Sequence, residues 1–412
     1  MALCLHKLGR ANCSAVNDVK GTTGMDKFDC IVVGAGPAGT TAARQAALRG
    51  LKTLLLEKES LPRYKSCGGA IPSVLERILG IDPTRTVERV VTGVTFHSRD
   101  DDSYTFYPDG MRVHMVSRDA FDFLLAEEAV RAGAHLMDGT TVRSLEETKG
   151  SVRVTTEKGY TYTGSVVVGA DGARGVVAKA AGMQRPLCGF SIEGELYPER
   201  SEALDKYKDQ VLFGFGYIGG GYGWIFPKKD HFSVGIGTMQ SRLPGMNSLY
   251  EQFKQSFDCL KGTYEKVRHG WFIPFNSGPR SLNTPRVCLA GDAASLVDPL
   301  SGEGIYYAVR SGFVAADAIC SELPKYGRLS NRYTDQINRD IVKDFFYARK
   351  FASFFFRAPS FFYRKNRVIN AYVRLANRDI RYRNLFKDLL IAVKGRAEVR
   401  RMAEEILAGR QR

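Results

Sequence analysis

The eight cysteines, Cys4, Cys13, Cys30, Cys67, Cys188, Cys259, Cys288 and Cys320, include no CxxC pair and no zinc-type spacing. That scatter argues against a metal site or a disulfide framework and for a reducing, cytoplasmic setting. Cys30 and Cys288 sit inside apolar, strand-like runs and are expected to be buried. No apolar run approaches the ~18–20 residues a membrane-spanning helix needs. The apolar patch Ala2–Leu5 is too short for a signal peptide, and residues 1–24 read as an irregular extension or as sequence upstream of a start at Met25. Internal repeats and low-complexity segments are also missing, which excludes repeat architectures. Positive charge, by contrast, is in excess. The net charge is +15, while the 44% hydrophobic and 25% charged contents are ordinary for a globular chain. The last 72 residues, from Ile341, hold 18 Lys/Arg against 6 Asp/Glu, so most of the excess lies there. A basic surface of that kind attracts anionic partners such as acidic headgroups or phosphates.

The first apolar run, Phe28–Val33, is short and rich in branched residues, as a buried parallel strand is. Gly34-Ala35-Gly36-Pro37-Ala38-Gly39 follows, then an alanine-rich helical stretch to Arg49 that ends at Gly50, then the strand Thr53–Leu56 closed by Glu57. In the middle of the chain, short alternating strands dominate over 90–107, 139–168 and 211–237. They are interrupted by a helix expected at Asp119–Ala132. Val152–Thr156 and Tyr160–Tyr162 suggest a hairpin about Lys158-Gly159. After Gly291 the pattern turns helical, and from Asn331 onward almost entirely so.

A lone GxGxxG is weak evidence, but here a strand leads in and a helix leads out. Gly34 allows the tight turn, Gly36 lets the backbone approach a pyrophosphate, and Gly39 lets the helix pack against the strand. Pro37 and Ala38 open the helix, whose free N–H groups and partial positive charge suit phosphates. The Glu57 carboxylate suits a ribose hydroxyl and repels a 2′-phosphate, which disfavours NADP at this site. Three later segments point to FAD rather than NAD. Val166–Val168 runs into Gly169-Ala170-Asp171-Gly172. Val287–Ala290 runs into Gly291-Asp292, where the acid suits a ribityl hydroxyl. Pro299-Leu300-Ser301-Gly302-Glu303-Gly304 offers glycines that can lie against a flat ring. A helix starting at Gly304-Ile305 would aim its positive end at the pyrimidine edge of the flavin.

This order of motifs resembles the flavoprotein family that includes the p-hydroxybenzoate hydroxylases, the halogenases and the geranylgeranyl reductases, over roughly residues 28 to 320. Arg118, just before a helix, matches the family's arginine on the phosphate side of the flavin. One departure is Gly175, where the family often carries Ser. Two segments are similar to the geranylgeranyl reductase branch in particular: Tyr64-Lys65-Ser66-Cys67-Gly68-Gly69 and Tyr222-Gly223-Trp224-Ile225-Phe226-Pro227-Lys228. The resemblance implies that Cys67, with Gly68 and Gly69, sits near the flavin and that Tyr222 and Trp224 line the substrate cavity. Lys58 and Val142 complete the expected cofactor set, and Phe226 and Tyr217 the expected substrate set. Cys67 and Tyr222 are the candidate catalytic groups. In a strand, Tyr222, Trp224 and Phe226 share one face, either as an apolar wall for an isoprenoid chain or as ordinary core. A nearby Lys65 ammonium would favour the Cys67 thiolate.

Ten Phe/Tyr between Phe345 and Tyr363 alternate with Arg349, Lys350, Arg357, Arg364 and Lys365. Such a helix suits a membrane interface, on the inner face for a cytoplasmic protein, or else a cap packed on the body. No nucleic-acid motif accompanies it.

The expected fold is α/β. A Rossmann-like FAD-binding domain with a parallel sheet (25–90, 119–182 and 281–325) holds an inserted antiparallel β-sheet substrate domain (91–118 and 183–280). A basic, aromatic helical region (326–412) follows. The expected activity is reduction of carbon–carbon double bonds in a polyprenyl lipid, with NAD(P)H or ferredoxin as a transient electron donor. The alternatives are an FAD hydroxylase using NAD(P)H and oxygen, and a non-catalytic flavin-containing membrane-binding module. Halogenation is disfavoured by the absence of a Trp-x-Trp-x-Ile-Pro segment.

Overall fold

The computed structural model of the chain describes residues 27–352 apart from 100–102, 108–109, 185, 276–277, 347 and 350–351. The branched run at the start forms the strand Lys27–Val33, and its Cys30, Ile31 and Val32 are fully buried. It lies in the middle of a seven-stranded sheet, parallel to Thr53–Leu56 on one side and to Thr161–Gly169 on the other. His135–Met137 extends the sheet beyond Thr53–Leu56. Past Thr161–Gly169 lie the antiparallel strands Val152–Thr156 and Val142–Glu147, and parallel to its end lies Val287–Leu289, where Cys288 is fully buried. The hairpin turn falls at Lys158-Gly159, with Gly159 at φ +85°.

Register decides where the motifs meet. Val33 pairs with Leu56 and with Gly169, and Gly169 pairs with Leu289. The turns that follow these strands therefore leave the sheet side by side: Gly34–Gly39, Glu57, Ala170–Gly172 and Gly291–Asp292. In an open parallel sheet the ligand crevice lies outside the carboxyl ends of the strands. The helices Pro37–Leu48 and Ile305–Tyr326 pack closely there; a Cβ on Gly312 would stand 2.5 Å from the Ala38 carbonyl oxygen.

A second seven-stranded sheet runs in the order Thr263–Phe275, Leu187–Pro198, Phe232–Thr238, Gly221–Pro227, Gln210–Phe215, Gly93–Ser98, Ser103–Phe106. Its pairs are antiparallel except Gln210–Phe215 with Gly93–Ser98. One face buries Ile225, Val234 and Ile236 beneath Tyr250 and Phe253 of the helix Met246–Gln255. The other face, with Phe213, Phe215, Trp224 and Phe226, packs on Val91, Val113 and Met115.

Those last residues belong to a third sheet that the pattern of residues did not announce. It is built of Ala70–Pro72, Val113–Val116 and Val87–Val91, all antiparallel. A strand of three residues is too short for alternation to register.

The helix over 119–132 is observed as Arg118–Arg131. After Arg332–Ile337 the chain makes a π-helical turn, Asn338–Val342. Phe345, Ala348 and Ala352 are buried, and the Phe345 ring meets Tyr307 edge-on at 4.7 Å. The described start of the aromatic tail thus packs as a cap. The tail from residue 353, including most of the aromatic and basic stretch, lies outside the described residues, as do residues 1–26. No described helix is long and apolar enough to cross a membrane.

Candidate cofactor and substrate site

Each glycine of the first turn answers to a different constraint. Gly34 has φ +101°, and a Cβ there would lie 2.3 Å from the Ala170 carbonyl oxygen. A Cβ on Gly39 would lie 1.8 Å from the Gly34 oxygen, so the helix starts hard against the turn. Gly36 is different: the nearest atom a Cβ would meet is Arg63 Nη2 at 3.9 Å. Its face is open, as a backbone approached by an elongated phosphate ligand must be. Pro37 is the first helical residue, and the Gly36 cap has no side-chain partner.

Around this turn runs a buried chain of charges. Glu57 accepts the Ala35 N–H through Oε2 at 2.7 Å and the Glu59 N–H through Oε1 at 3.2 Å. Arg63 Nε lies 3.7 Å from Glu57 Oε1, and Arg63 Nη1 donates to Asp122 Oδ2 at 2.9 Å. Arg118 donates twice to the same carboxylate, at 2.8 and 2.9 Å. Asp122 is fully buried; burial alone would raise its pKa, but Arg118 and Arg63 overcome this and hold it below the usual carboxylate range. Burial likewise works against the Arg118 charge, and Asp122, with a smaller contribution from Cys67, more than offsets it. Arg63 and Asp122 carried no role at the level of sequence. Asp122 stands four residues after Arg118, in the same segment, but its contact with Arg63 is long-range and has no signature in the sequence.

The Asp171 and Asp292 turns lie alongside. Asp171 Oδ2 accepts the Val177 N–H at 2.9 Å, which starts the short helix Val177–Ala180. A Cβ on Gly175 would fall 2.0 Å from the Asp171 carboxyl carbon, so the departure to glycine at 175 makes room for this carboxylate. Gly291 donates its N–H to Ser311 Oγ at 2.9 Å. Ser295, after Asp292, is held at φ +57° and is thus a locally strained point in the turn. The Asp298 Oδ1 accepts the Leu300 and Ser301 N–H groups, both at 2.9 Å, and so shapes the loop that leads to Gly304. Glu303 caps the Tyr306 N–H at 2.8 Å. Burial raises its carboxyl to about 7.

The cysteine loop and the aromatic strand meet here although they are far apart in the chain. Lys228 is 2% exposed, and its Nζ donates to the carbonyls of Gly68 at 2.8 Å and Val116 at 2.7 Å. A Cβ on Gly68 would stand 2.7 Å from the Phe226 ring and 3.4 Å from Trp224 Nε1. Tyr222, Trp224 and Phe226 do share a face, with successive ring centroids 6.4 Å apart. Trp224 and Phe226 are buried among core residues, yet the Trp224 indole N–H, beside Gly68, has no hydrogen-bond partner among the described residues. Buried indole N–H groups ordinarily find one. Tyr222 donates its hydroxyl to the Ser301 carbonyl, which ties the aromatic strand to the Gly302–Gly304 loop, and burial raises its pKa well above the usual phenol range.

Lys65 packs against the second sheet. Its Nζ stands 3.9 Å over the Trp271 ring, and burial lowers it to about 8. Lys65 and Arg118 both interact electrostatically with Cys67, whose sulfur accepts the Gly69 N–H at 3.4 Å.

Three expected contacts fall elsewhere. Tyr217 lies on the opposite side of the second sheet. Its hydroxyl pairs with His97 Nε2 at 2.8 Å and its ring packs on Phe253, which also fills the space above Gly223, so it is not part of the Trp224 wall. The Val142 side chain is core, 7% exposed; it is Thr140 that bonds back to the Glu57 carbonyl. Lys58 points to solvent beside Glu59, at 3.6 Å. Strand alternation and packing turn these side chains away, and neither can be read from a motif.

Comparison with known proteins agrees with this geometry. The FAD binding domain family matches residues 27–196. A digeranylgeranylglycerophospholipid reductase of Methanocaldococcus jannaschii is 32% identical over 71% of this chain and 76% of its own. A geranylgeranyl diphosphate reductase of Rhodobacter capsulatus is 35% identical over 71% and 75%. Among solved structures, a geranylgeranyl bacteriochlorophyll reductase-like protein of Thermoplasma acidophilum superposes with a TM-score of 0.74, at 22% identity over 80% of this chain and 87% of that one. A myxobacterial chondrochloren halogenase superposes with a TM-score of 0.63, at 21% identity over 92% and 97%. The fold therefore also hosts other flavin reactions.

Proposed function

The chain belongs to the geranylgeranyl reductase family of FAD-dependent oxidoreductases acting on CH–CH groups, and from that premise we propose that it saturates carbon–carbon double bonds of a polyprenyl chain. The observation that carries this reading is the meeting of the Cys67–Gly69 loop with the Tyr222–Lys228 strand, through Lys228 and Phe226, beside the dinucleotide turn.

FAD fits the residues present. The open face at Gly36, the helix start at Pro37 and the Arg118 guanidinium would hold its phosphates. Glu57 keeps carboxylate lone pairs for a ribose hydroxyl, Asp292 for a ribityl hydroxyl, and the Gly302–Ile305 turn would meet the ring edge. Asp171 and Gly172 would border the cofactor from the neighbouring strand. When reduced, the bound FAD supplies a hydride. An isolated alkene is a poor hydride acceptor, so the protein must align it, exclude water and provide a proton. Trp224 and Phe226 would hold the apolar chain. Cys67, under the Arg118 guanidinium, and Tyr222 would stand at the reacting end. The chain carries no second nucleotide-binding glycine motif, so NAD(P)H or ferredoxin would reduce the flavin transiently. The basic, aromatic tail would bring the enzyme to a lipid surface.

Anaerobic incubation of the dithionite-reduced holoenzyme with a geranylgeranyl lipid tests the reading. The product should gain two mass units per reduced bond. A strict requirement for oxygen would overturn the proposal in favour of hydroxylation. Binding to anionic liposomes with no flavin reoxidation by any prenyl lipid would favour the non-catalytic membrane module.

A further inference from the structure

Behind the Cys67 loop the second sheet buries a line of proton-carrying side chains. Glu193, on Leu187–Pro198, is 1% exposed. Its Oε2 accepts the Ser66 hydroxyl at 2.6 Å and its Oε1 the Ser233 hydroxyl at 2.6 Å. Glu195, two residues on and so on the same face, has its Oε2 3.0 Å from His231 Nε2. His231 Nδ1 is 2.8 Å from Asp230 Oδ1, and the Asp230 side chain is 70% exposed. Two segments thus face each other on one strand: Asp230, His231 and Glu195 reach in from solvent, and Glu193 reaches Ser66, the residue before Cys67.

The surroundings favour the protonated forms of Glu193 and His231. Lys228, a buried cation that acts on Glu193, spends its ammonium on two backbone carbonyls. Burial raises the Glu193 pKa, and the neighbouring Glu195 raises it further, against the pull of the two serines and Lys228. For His231, burial works against the charge, but Glu195 and Asp230 outweigh it and raise its pKa. The other titratable groups facing the line are Tyr64, Glu88 and Tyr197, with His269 opposite Glu193 in the strand register.

Saturating a double bond consumes one hydride and one proton, and a site that excludes water cannot take the proton from bulk solvent. We infer that Glu193 is the proton store of the reduction site, discharging through Ser66 into the Cys67 loop and recharged through Glu195, His231 and Asp230. The inference rests on the proposed double-bond reduction. In each cycle the protonated Glu193 carboxyl, with the Ser66 hydroxyl turned to accept from it, passes its proton to Ser66 Oγ as Ser66 releases its own to the thiolate or phenolate left on Cys67 or Tyr222 by protonation of the alkene carbon. The Glu193 carboxylate then regains a proton through Glu195 from the His231 imidazolium, which solvent reprotonates. The electrons come from the reduced flavin and, before it, from the external nicotinamide or ferredoxin donor. Glu193 is a positioning residue here, acting through Ser66.

Glu193→Gln keeps the size and the serine contacts but holds no transferable proton. Flavin content and dithionite reduction of the flavin should be unchanged in this variant. Alkene reduction should fall roughly ten-fold or more, lose its decline at alkaline pH and show a larger solvent deuterium effect. Ser66→Ala should reproduce these changes, whereas Ser233→Ala, on the other oxygen, should leave the pH profile intact. Infrared spectroscopy of the holoenzyme at neutral pH, without substrate, should show a protonated-carboxyl band that Glu193→Gln lacks. Absence of that band, or an unchanged pH profile and isotope effect in a turning-over Glu193→Gln enzyme, overturns the relay. A wild type that shows the band yet never reduces a prenyl lipid instead sinks the proposed reaction, and the relay's purpose with it.

Discussion

The glycine turn at Gly34–Gly39 and the cysteine loop at Cys67–Gly69 are both short, both glycine-bearing and both placed at the same crevice, yet different forces hold them. At the first turn the constraints come from the turn itself and from the adjoining strand end: the Gly34 oxygen against Gly39, the Ala170 carbonyl against Gly34. Charge enters only around it, through Glu57, Arg63, Asp122 and Arg118. The cysteine loop has one local bond, from the Gly69 N–H to Cys67 Sγ at 3.4 Å, and is otherwise held from a distance. Lys228, 160 residues from Gly68, pins its carbonyl, and Glu193, 127 residues from Ser66, takes its hydroxyl. A cofactor turn built on local backbone geometry can be recognised in any chain. A loop positioned from another sheet can differ in each member of a fold, which suits the part of the site that selects the reaction.

If the two regions are separable, variants should split flavin binding from substrate chemistry. The largest effect is expected from Gly34→Ala. Positive φ costs about 1–3 kcal/mol in itself, and the added methyl would meet the Ala170 carbonyl at 2.3 Å. Purified protein should carry no flavin by absorbance. Asp122→Asn should follow, since it leaves Arg118 and Arg63 buried without their shared anion, at a cost of about 3–5 kcal/mol in denaturant unfolding.

Glu303→Gln tests the junction of the two regions through pH. The folded protein holds the Glu303 proton up to about 7, whereas the unfolded chain releases it near 4.5. Wild-type stability should therefore fall as pH rises between those values and level off above them. The fall should be at most about 3 kcal/mol, and Glu303→Gln should lack it in melting experiments across that range. The smallest change in stability is expected for Lys228→Met, which leaves two buried carbonyls unsatisfied at about 1–3 kcal/mol. This variant should keep its flavin while losing turnover of a prenyl substrate. Loss of flavin from it would break the distinction between the regions.

The strands at Phe28–Val33, Thr53–Leu56 and Val287–Leu289 were legible because fully buried parallel strands are continuous apolar runs, and each ends in a turn that announces itself with Gly, Asp or Glu. The three-stranded sheet was not legible, because Ala70–Pro72 is too short to show a period. Tyr217 was misplaced for a related reason. A motif says which residues are aromatic, but the pleat and the helix Met246–Gln255 decide which face each ring takes.

What the sequence determined by itself is the cofactor class and the α/β architecture, because those depend on backbone freedom and hydrophobic period, which are local. The tertiary structure alone decided that Arg63 joins Glu57 to Asp122 and Arg118, and that Lys228 and Glu193 hold the cysteine loop from behind. The Lys228–Gly68 and Glu193–Ser66 pairings span more than a hundred residues and Arg63–Asp122 spans 59, and only packing brings such partners within reach.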